Sequence, residues 1–293
     1  LSSRKTTSFH GHLGLMRLAS EELQSDDALY HARKASFLQP RNPKLTSILV
    51  KMEARKENFP EAIEALHRAR RIGAIDEKEA QSIGAALHTA MGFLNIEKKQ
   101  TDEAQKSFSY ALRENSNFIP AVTALSKIYL SQGSNKKALN LLIKTWKSKP
   151  HPDIANALKL IWNDTRSSIT VSKLIDITDA DASSEARLFI ANEALSSGLT
   201  GEAEGQLNKI TEDEHNVFYY QLKSRIAKNN NNTNEVSLAL EKAFSAPRKN
   251  SWNCNNCGLT SERWSSKCMR CNSIGTLNWQ TPPELAKIEH SKS

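Results

Sequence analysis

At 293 residues the chain can hold one large domain or several small ones, and 40 lysines and arginines against 32 acidic residues leave a net charge of +8. The basic residues are interspersed with acidic ones instead of forming a stripe, which argues against a nucleic-acid surface. No apolar run approaches the roughly eighteen residues needed to span a bilayer. Only 11 glycines and 9 prolines occur, and aromatics make up 6%, a helical composition rich in Ala, Leu, Lys, Glu and Ser.

The chain begins at Leu1, and residues 1–12 are polar and basic. The expectation is an unstructured remnant behind a removed N-terminal anchor or targeting segment. From residue 13 onward a repeat emerges. Ala28, Ala32 and Ala35 form a small-residue pattern at offsets of four and seven, matched 34 positions later by Ala62, Leu66 and Ala69. Ala104, Phe108 and Ala111 follow after 42, and Ala138, Leu142 and Thr145 after another 34. Ala203, Leu207 and Ile210 repeat the pattern, as do Val236, Leu240 and Ala243. Such offsets place each trio on one helical face.

The punctuation divides the chain into helix pairs over 13–40, 43–73, 82–115 and 119–149. Asp26 or Asp27 is expected to cap the second helix, and Pro60 to open the fourth. Gly73-Ala74-Ile75-Asp76 is expected to open an extra helical segment, which accounts for the interval of 42. Pro150-His151-Pro152 breaks the helix, and Asp153 is expected to cap the next one. Residues 13–152 are therefore repeats, 153–246 are looser helices, 247–251 are a linker, 252–282 are a separate module and 283–293 are a frayed tail. The 34-residue interval resembles the tetratricopeptide repeat, which implies an all-α helical-repeat solenoid. Stacked helix pairs of that kind leave a curved, concave surface suited to proteins or peptides.

The module carries the only cysteines, Cys254, Cys257, Cys268 and Cys271, in two Cys-x-x-Cys pairs. Each pair can form a tight knuckle, and two facing knuckles offer Zn²⁺ four thiolates at tetrahedral corners. Two short disulfides are the alternative, but bridges closing such small loops stabilise little. All-sulfur ligation leaves no open position, so the zinc is read as structural. A rubredoxin-like iron would use the same ligands and stays open at this stage. Trp252, Trp264 and Trp279 bracket the knuckles, either as packing or as an exposed ring for a partner. Unoxidised cysteines suit a reducing compartment.

No phosphate loop, dinucleotide fingerprint or nucleophile elbow is present, so the chain reads as a non-enzyme. His10-Gly11-His12 can bind metal weakly, or simply belong to a loose terminus. His151 is read as a turn residue in preference to a haem ligand. Asp179 and Asp181 offer a cation site or a solvated helix cap.

The run Lys144-Thr145-Trp146-Lys147-Ser148-Lys149-Pro150-His151-Pro152 resembles the HemY-type tetratricopeptide proteins of alphaproteobacteria. Gly73-Ala74-Ile75-Asp76 is similar to that family's turn before an inserted helix. Its C-terminus is resembled by Trp252-x-Cys254-x-x-Cys257-Gly258, Arg263-Trp264-Ser265 and Leu277-Asn278-Trp279-Gln280-Thr281-Pro282. The complete second cysteine pair departs from many relatives. This resemblance implies a scaffold or regulator of haem biosynthesis on the bacterial inner membrane, its soluble domain cytoplasmic, with tetrapyrrole-pathway enzymes as partners. The cysteine spacing equally resembles the membrane-anchored tetratricopeptide protein of lipopolysaccharide assembly, which implies control of a membrane protease.

Overall fold

A computed structural model describes residues 2–162, 167–179 and 182–282. Among these residues there are fourteen α-helices, one short 3₁₀ turn and three short strands. No described helix is long and apolar enough to cross a membrane. The chain divides into two compact units, residues 1–121 with 265–277, and residues 122–264 with 278–293.

The first unit contains α1 (Ser2–Glu21), α2 (Ser25–Leu38), α3 (Pro43–Arg55), α4 (Phe59–Arg71), α5 (Glu77–Glu97), α6 (Thr101–Glu114) and the start of α7 (Ile119–Ser131). Consecutive helices pair as α1 with α2, α3 with α4 and α5 with α6. The repeat trios sit in these interfaces: Ala32, Ala35, Ala62, Ala69, Ala104, Phe108 and Ala111 are fully buried. The alanines among these positions let the helices approach closely, and burial of the apolar face stabilises the pair.

Local signals set the helix starts. Asn42 Oδ1 accepts the Leu45 N–H at 3.1 Å before α3, and Asp76 Oδ1 accepts the Glu79 N–H at 2.9 Å before α5. The expected aspartate cap of α2 does not form, because the helix already begins at Ser25. Asp26 and Asp27 fall in its first turn, where they oppose the helix dipole's positive end. Residues 2–12, expected to lack structure, lie within α1, and Phe9 is 3% exposed. The extra segment expected after Gly73 is continuous with the next helix. α5 is 21 residues long where α3 and α4 are 13, and that difference of eight carries the interval of 42.

One ion pair locks the early repeats together. Arg33 grips Glu53 through two 2.7 Å contacts, and Asn58 Nδ2 adds a third donor at 2.9 Å. The Glu53 side chain is 3% exposed, so its charge depends on these donors. The segment 265–277 belongs to this unit. Lys267 reaches Glu57 at 2.8 Å, and Gly275 lies against the backbone of Ser82 and Ile83 in α5.

The second unit continues with α8 (Asn135–Ser148), α9 (Pro152–Trp162), α10 (Ser167–Asp176), α11 (Ser184–Ser196), α12 (Thr200–Leu207), α13 (Val217–Asn229) and α14 (Thr233–Ser245). The strands β1 (Ser251–Cys254), β2 (Thr260–Ser261) and β3 (Leu277–Gln280) form a sheet in the order β2-β1-β3. Trp146 is 1% exposed, and its indole N–H donates to Thr178 Oγ1 at 2.9 Å, tying α8 to the end of α10. Asp179 pairs with Lys147 at 2.8 Å. That salt bridge takes up the carboxylate offered above as a cation ligand, and Asp181 lies outside the described residues, as does the tail 283–293.

Candidate metal centre and the aromatic seam beside it

Both knuckles are built alike. The Cys254 N–H donates to Leu259 O and the Gly258 N–H to Cys254 O, each at 2.8 Å. In the second, the Cys268 N–H donates to Ser273 O at 2.8 Å and the Asn272 N–H to Cys268 O at 2.9 Å. The residue after each second cysteine is left-handed, Gly258 at φ +71 and Asn272 at φ +54. Glycine adopts that region without cost, and asparagine is among the residues that tolerate it. The result brings the sulfurs of Cys254, Cys257, Cys268 and Cys271 all within 4.8 Å of one another. Zn–S bonds of about 2.3 Å place sulfurs about 3.8 Å apart at tetrahedral corners, so the cluster fits such an ion with small adjustments. Cys254 and Cys268 are buried, 2% and 0% exposed. Deprotonated sulfurs in that setting need a compensating cation. Among the described residues, this is the one grouping of three or more metal-ligating side chains.

Beside the first knuckle lies an aromatic seam. The His151 ring packs against Trp279 with centroids 4.2 Å apart and against Trp252 at 5.5 Å, and the two indoles meet edge-on at 5.6 Å. Trp252 is buried and Trp279 half-buried, so both serve as packing. The Trp279 N–H donates to Glu185 Oε1 at 2.8 Å, and Asn250 Nδ2 donates to Glu185 Oε2 at 2.5 Å. Burial pushes the Glu185 carboxyl above its usual range, opposed by these two donors and by the nearby Lys149 charge. One glutamate at the start of α11 thus holds both the linker before β1 and the strand β3.

His151 performs more than a turn. Its Nδ1 accepts the Asp153 N–H at 3.0 Å, so the imidazole takes the capping role expected of Asp153. Asp153 itself stands in the first turn of α9. The ring is 2% exposed, and burial, reinforced by the Lys149 charge, lowers its pKa to about 3. Because Nδ1 accepts, the proton of the neutral ring sits on Nε2, which is buried with no hydrogen-bond partner. A haem-ligating histidine presents the opposite tautomer, so this geometry does not suit iron coordination by His151.

The seam walls a cavity of about 620 Å³ in the second unit, lined by His151, Glu185, Phe189, Phe218, Asn250 and Trp279 among others. Glu185 and Phe189 carried no motif in the sequence. Helical periodicity marks α11, but nothing local shows that Glu185 would meet residues 65 and 94 positions away.

Residues 95–161 match the tetratricopeptide repeat family model. A tetratricopeptide repeat protein from Parabacteroides merdae is similar at 15% identity, over 82% of this chain and 93% of that one, with a TM-score of 0.37. The protein MamA is 18% identical over 73% of this chain and 97% of its own, with a TM-score of 0.32. YrrB, described as a tetratricopeptide protein with an unusual peptide-binding site, is 15% identical over 72% and 90%, with a TM-score of 0.30. No curated protein sequence matches the chain. The fold is an all-α, tetratricopeptide-like helical-repeat solenoid with a C-terminal four-cysteine cluster. Folds of this type generally mediate protein–protein interaction without catalysis.

Proposed function

We propose that this chain is a non-enzymatic scaffold or regulator, tethered to the bacterial inner membrane with its soluble domain cytoplasmic, that gathers enzymes of haem biosynthesis. The observation that carries this reading is the meeting of Pro150-His151-Pro152 with Trp252 and Trp279. Those residues lie in two runs that resemble the HemY-type proteins, and here they form one seam despite a separation of about a hundred positions. Cys254, Cys257, Cys268 and Cys271 hold a structural zinc in this reading, fastening the small sheet where too little apolar surface exists for a core. A protein segment or extended peptide on the solenoid is the partner.

A second reading is favoured by the completeness of the four-sulfur cluster. It is control of lipopolysaccharide assembly through a membrane protease. Affinity capture from native membranes, with the natural N-terminus in place and mass spectrometry as readout, separates the two. Recovery of tetrapyrrole-pathway enzymes supports the first reading. Recovery of a lipopolysaccharide enzyme or a membrane protease replaces it with the second, and absence of any protein partner refutes both. A coloured, iron-loaded protein would instead point to a rubredoxin-like electron carrier, the third use of the same ligands.

A further inference from the structure

Two histidines far from the cysteines meet across the first helix pair. His12 in α1 and His31 in α2 place their Nδ1 atoms 3.0 Å apart, with ring centroids at 5.2 Å. Both rings are half-buried, so one side is packed and the other open to water. The backbones that carry them are well fixed: Phe9, Ala28, Ala32 and Ala35 are buried, none above 3% exposed. In the neutral pair, one ring donates its Nδ1 proton to the lone pair of the other.

The geometry points to a two-histidine site for a divalent transition-metal ion, held by the Nδ1 atoms of His12 and His31. Metal–imidazole bonds of about 2.0–2.1 Å place two nitrogens about 2.9 Å apart at a right angle and about 3.4 Å apart at the tetrahedral angle. The observed separation falls between these, but the centroid distance of 5.2 Å shows the two nitrogens facing each other nearly head-on, so binding needs each ring to turn until both lone pairs converge beside the line that joins them. No net proton is released. The ring that donated from Nδ1 takes its proton to Nε2, and both Nδ1 lone pairs then face the ion. Water fills the remaining positions from the open side. Neutral imidazole nitrogens suit zinc, nickel and copper ions and are poor ligands for calcium or magnesium. Pre-positioning on two packed helices lowers the ordering cost that a flexible His-x-His tail would meet.

The test uses the full chain with its cysteine cluster first filled by one equivalent of zinc, then titrated with Ni²⁺ in a calorimeter. One further ion is expected to bind, with affinity falling about tenfold or more in His12→Ala and in His31→Ala, while His10→Ala leaves it unchanged. Far-UV circular dichroism and a thermal melt of each variant show whether α1 and α2 remain folded, and His12→Gln offers a milder change should His12→Ala unfold them. Absence of a second Ni²⁺ site in the parent chain overturns the proposal. Equal affinity in the His31→Ala variant, or loss on His10→Ala, overturns it too, the latter moving the ion onto His10-Gly11-His12 alone.

Discussion

Gly275 and Gly258 both sit at positive φ in the cysteine module, yet their surroundings differ, and the difference isolates one contact. At Gly258, φ +71, an added methyl would meet nothing within 4 Å. At Gly275, φ +66, the same methyl would lie 2.8 Å from both Ile83 Cα and Ser82 O. Alanine at either site bears the left-handed penalty of about 1–2 kcal/mol. Gly275→Ala adds an overlap with helix backbone, which cannot swing aside as a side chain can, costing a further 1–3 kcal/mol or so. The expected outcome is a loss of about 1–2 kcal/mol for Gly258→Ala and about 2–5 kcal/mol for Gly275→Ala. In the latter the segment 265–277 lifts from α5 and the Lys267–Glu57 contact opens. Chemical denaturation gives the totals, and hydrogen exchange at residues 82–84 and 266–276 locates the change. Equal destabilisation by the two variants, with unchanged exchange over α5, would refute the packing of this segment against Ile83.

Cys268→Ser is expected to unfold the terminal module while leaving most of the far-UV helical signal, since thirteen of the fourteen described helices end before residue 230 and the last ends at Ser245. A large loss of helicity would show that the cluster supports the helices themselves. The acid response of the first unit should depend on His88, which is 8% exposed with Nδ1 buried and unpartnered. Burial lowers its pKa to about 4, against the opposing pull of Glu114, so the unfolded chain takes up a proton near pH 6.5 that the folded chain resists. The stability it contributes is therefore complete above pH 6.5 and lost as pH falls toward 4, by about 3 kcal/mol at most. His88→Leu should flatten that part of the stability curve between pH 7 and 4.5, and superimposable curves for parent and variant would sink the assignment.

How far the sequence revealed this molecule depends on the range of the interaction concerned. The alanine trios were legible because helical burial repeats every three to four residues, and Ala32, Ala62 and Ala104 indeed lie in helix interfaces. The cysteine knuckles were legible because their turns are closed by residues four or five apart. The first half of α1, before residue 13, is hidden in the sequence because its polar composition masks one buried face, marked there by Phe9. The fusion of the inserted segment into α5 was missed because Asp76 caps a helix whether it is short or long. His151 and Glu185 were illegible as site residues for a plainer reason. Each acquires its role from Trp252, Trp279 or Asn250, and no periodicity connects partners so distant along the chain.

The grip of Glu185 on Asn250 and Trp279 also governs how this chain can be cut or transplanted. Residues 247–251 have the look of a hinge, and an experimenter would divide the protein there to obtain a helical fragment and a small metal fragment. That cut would leave the helical piece with a buried carboxyl deprived of both donors, and the His151 ring stripped of both indoles. The fragment would expose an apolar scar where the seam had been. Transplanting the metal module onto a different solenoid would accordingly require a glutamate and a histidine waiting in the recipient. The two parts travel as one piece.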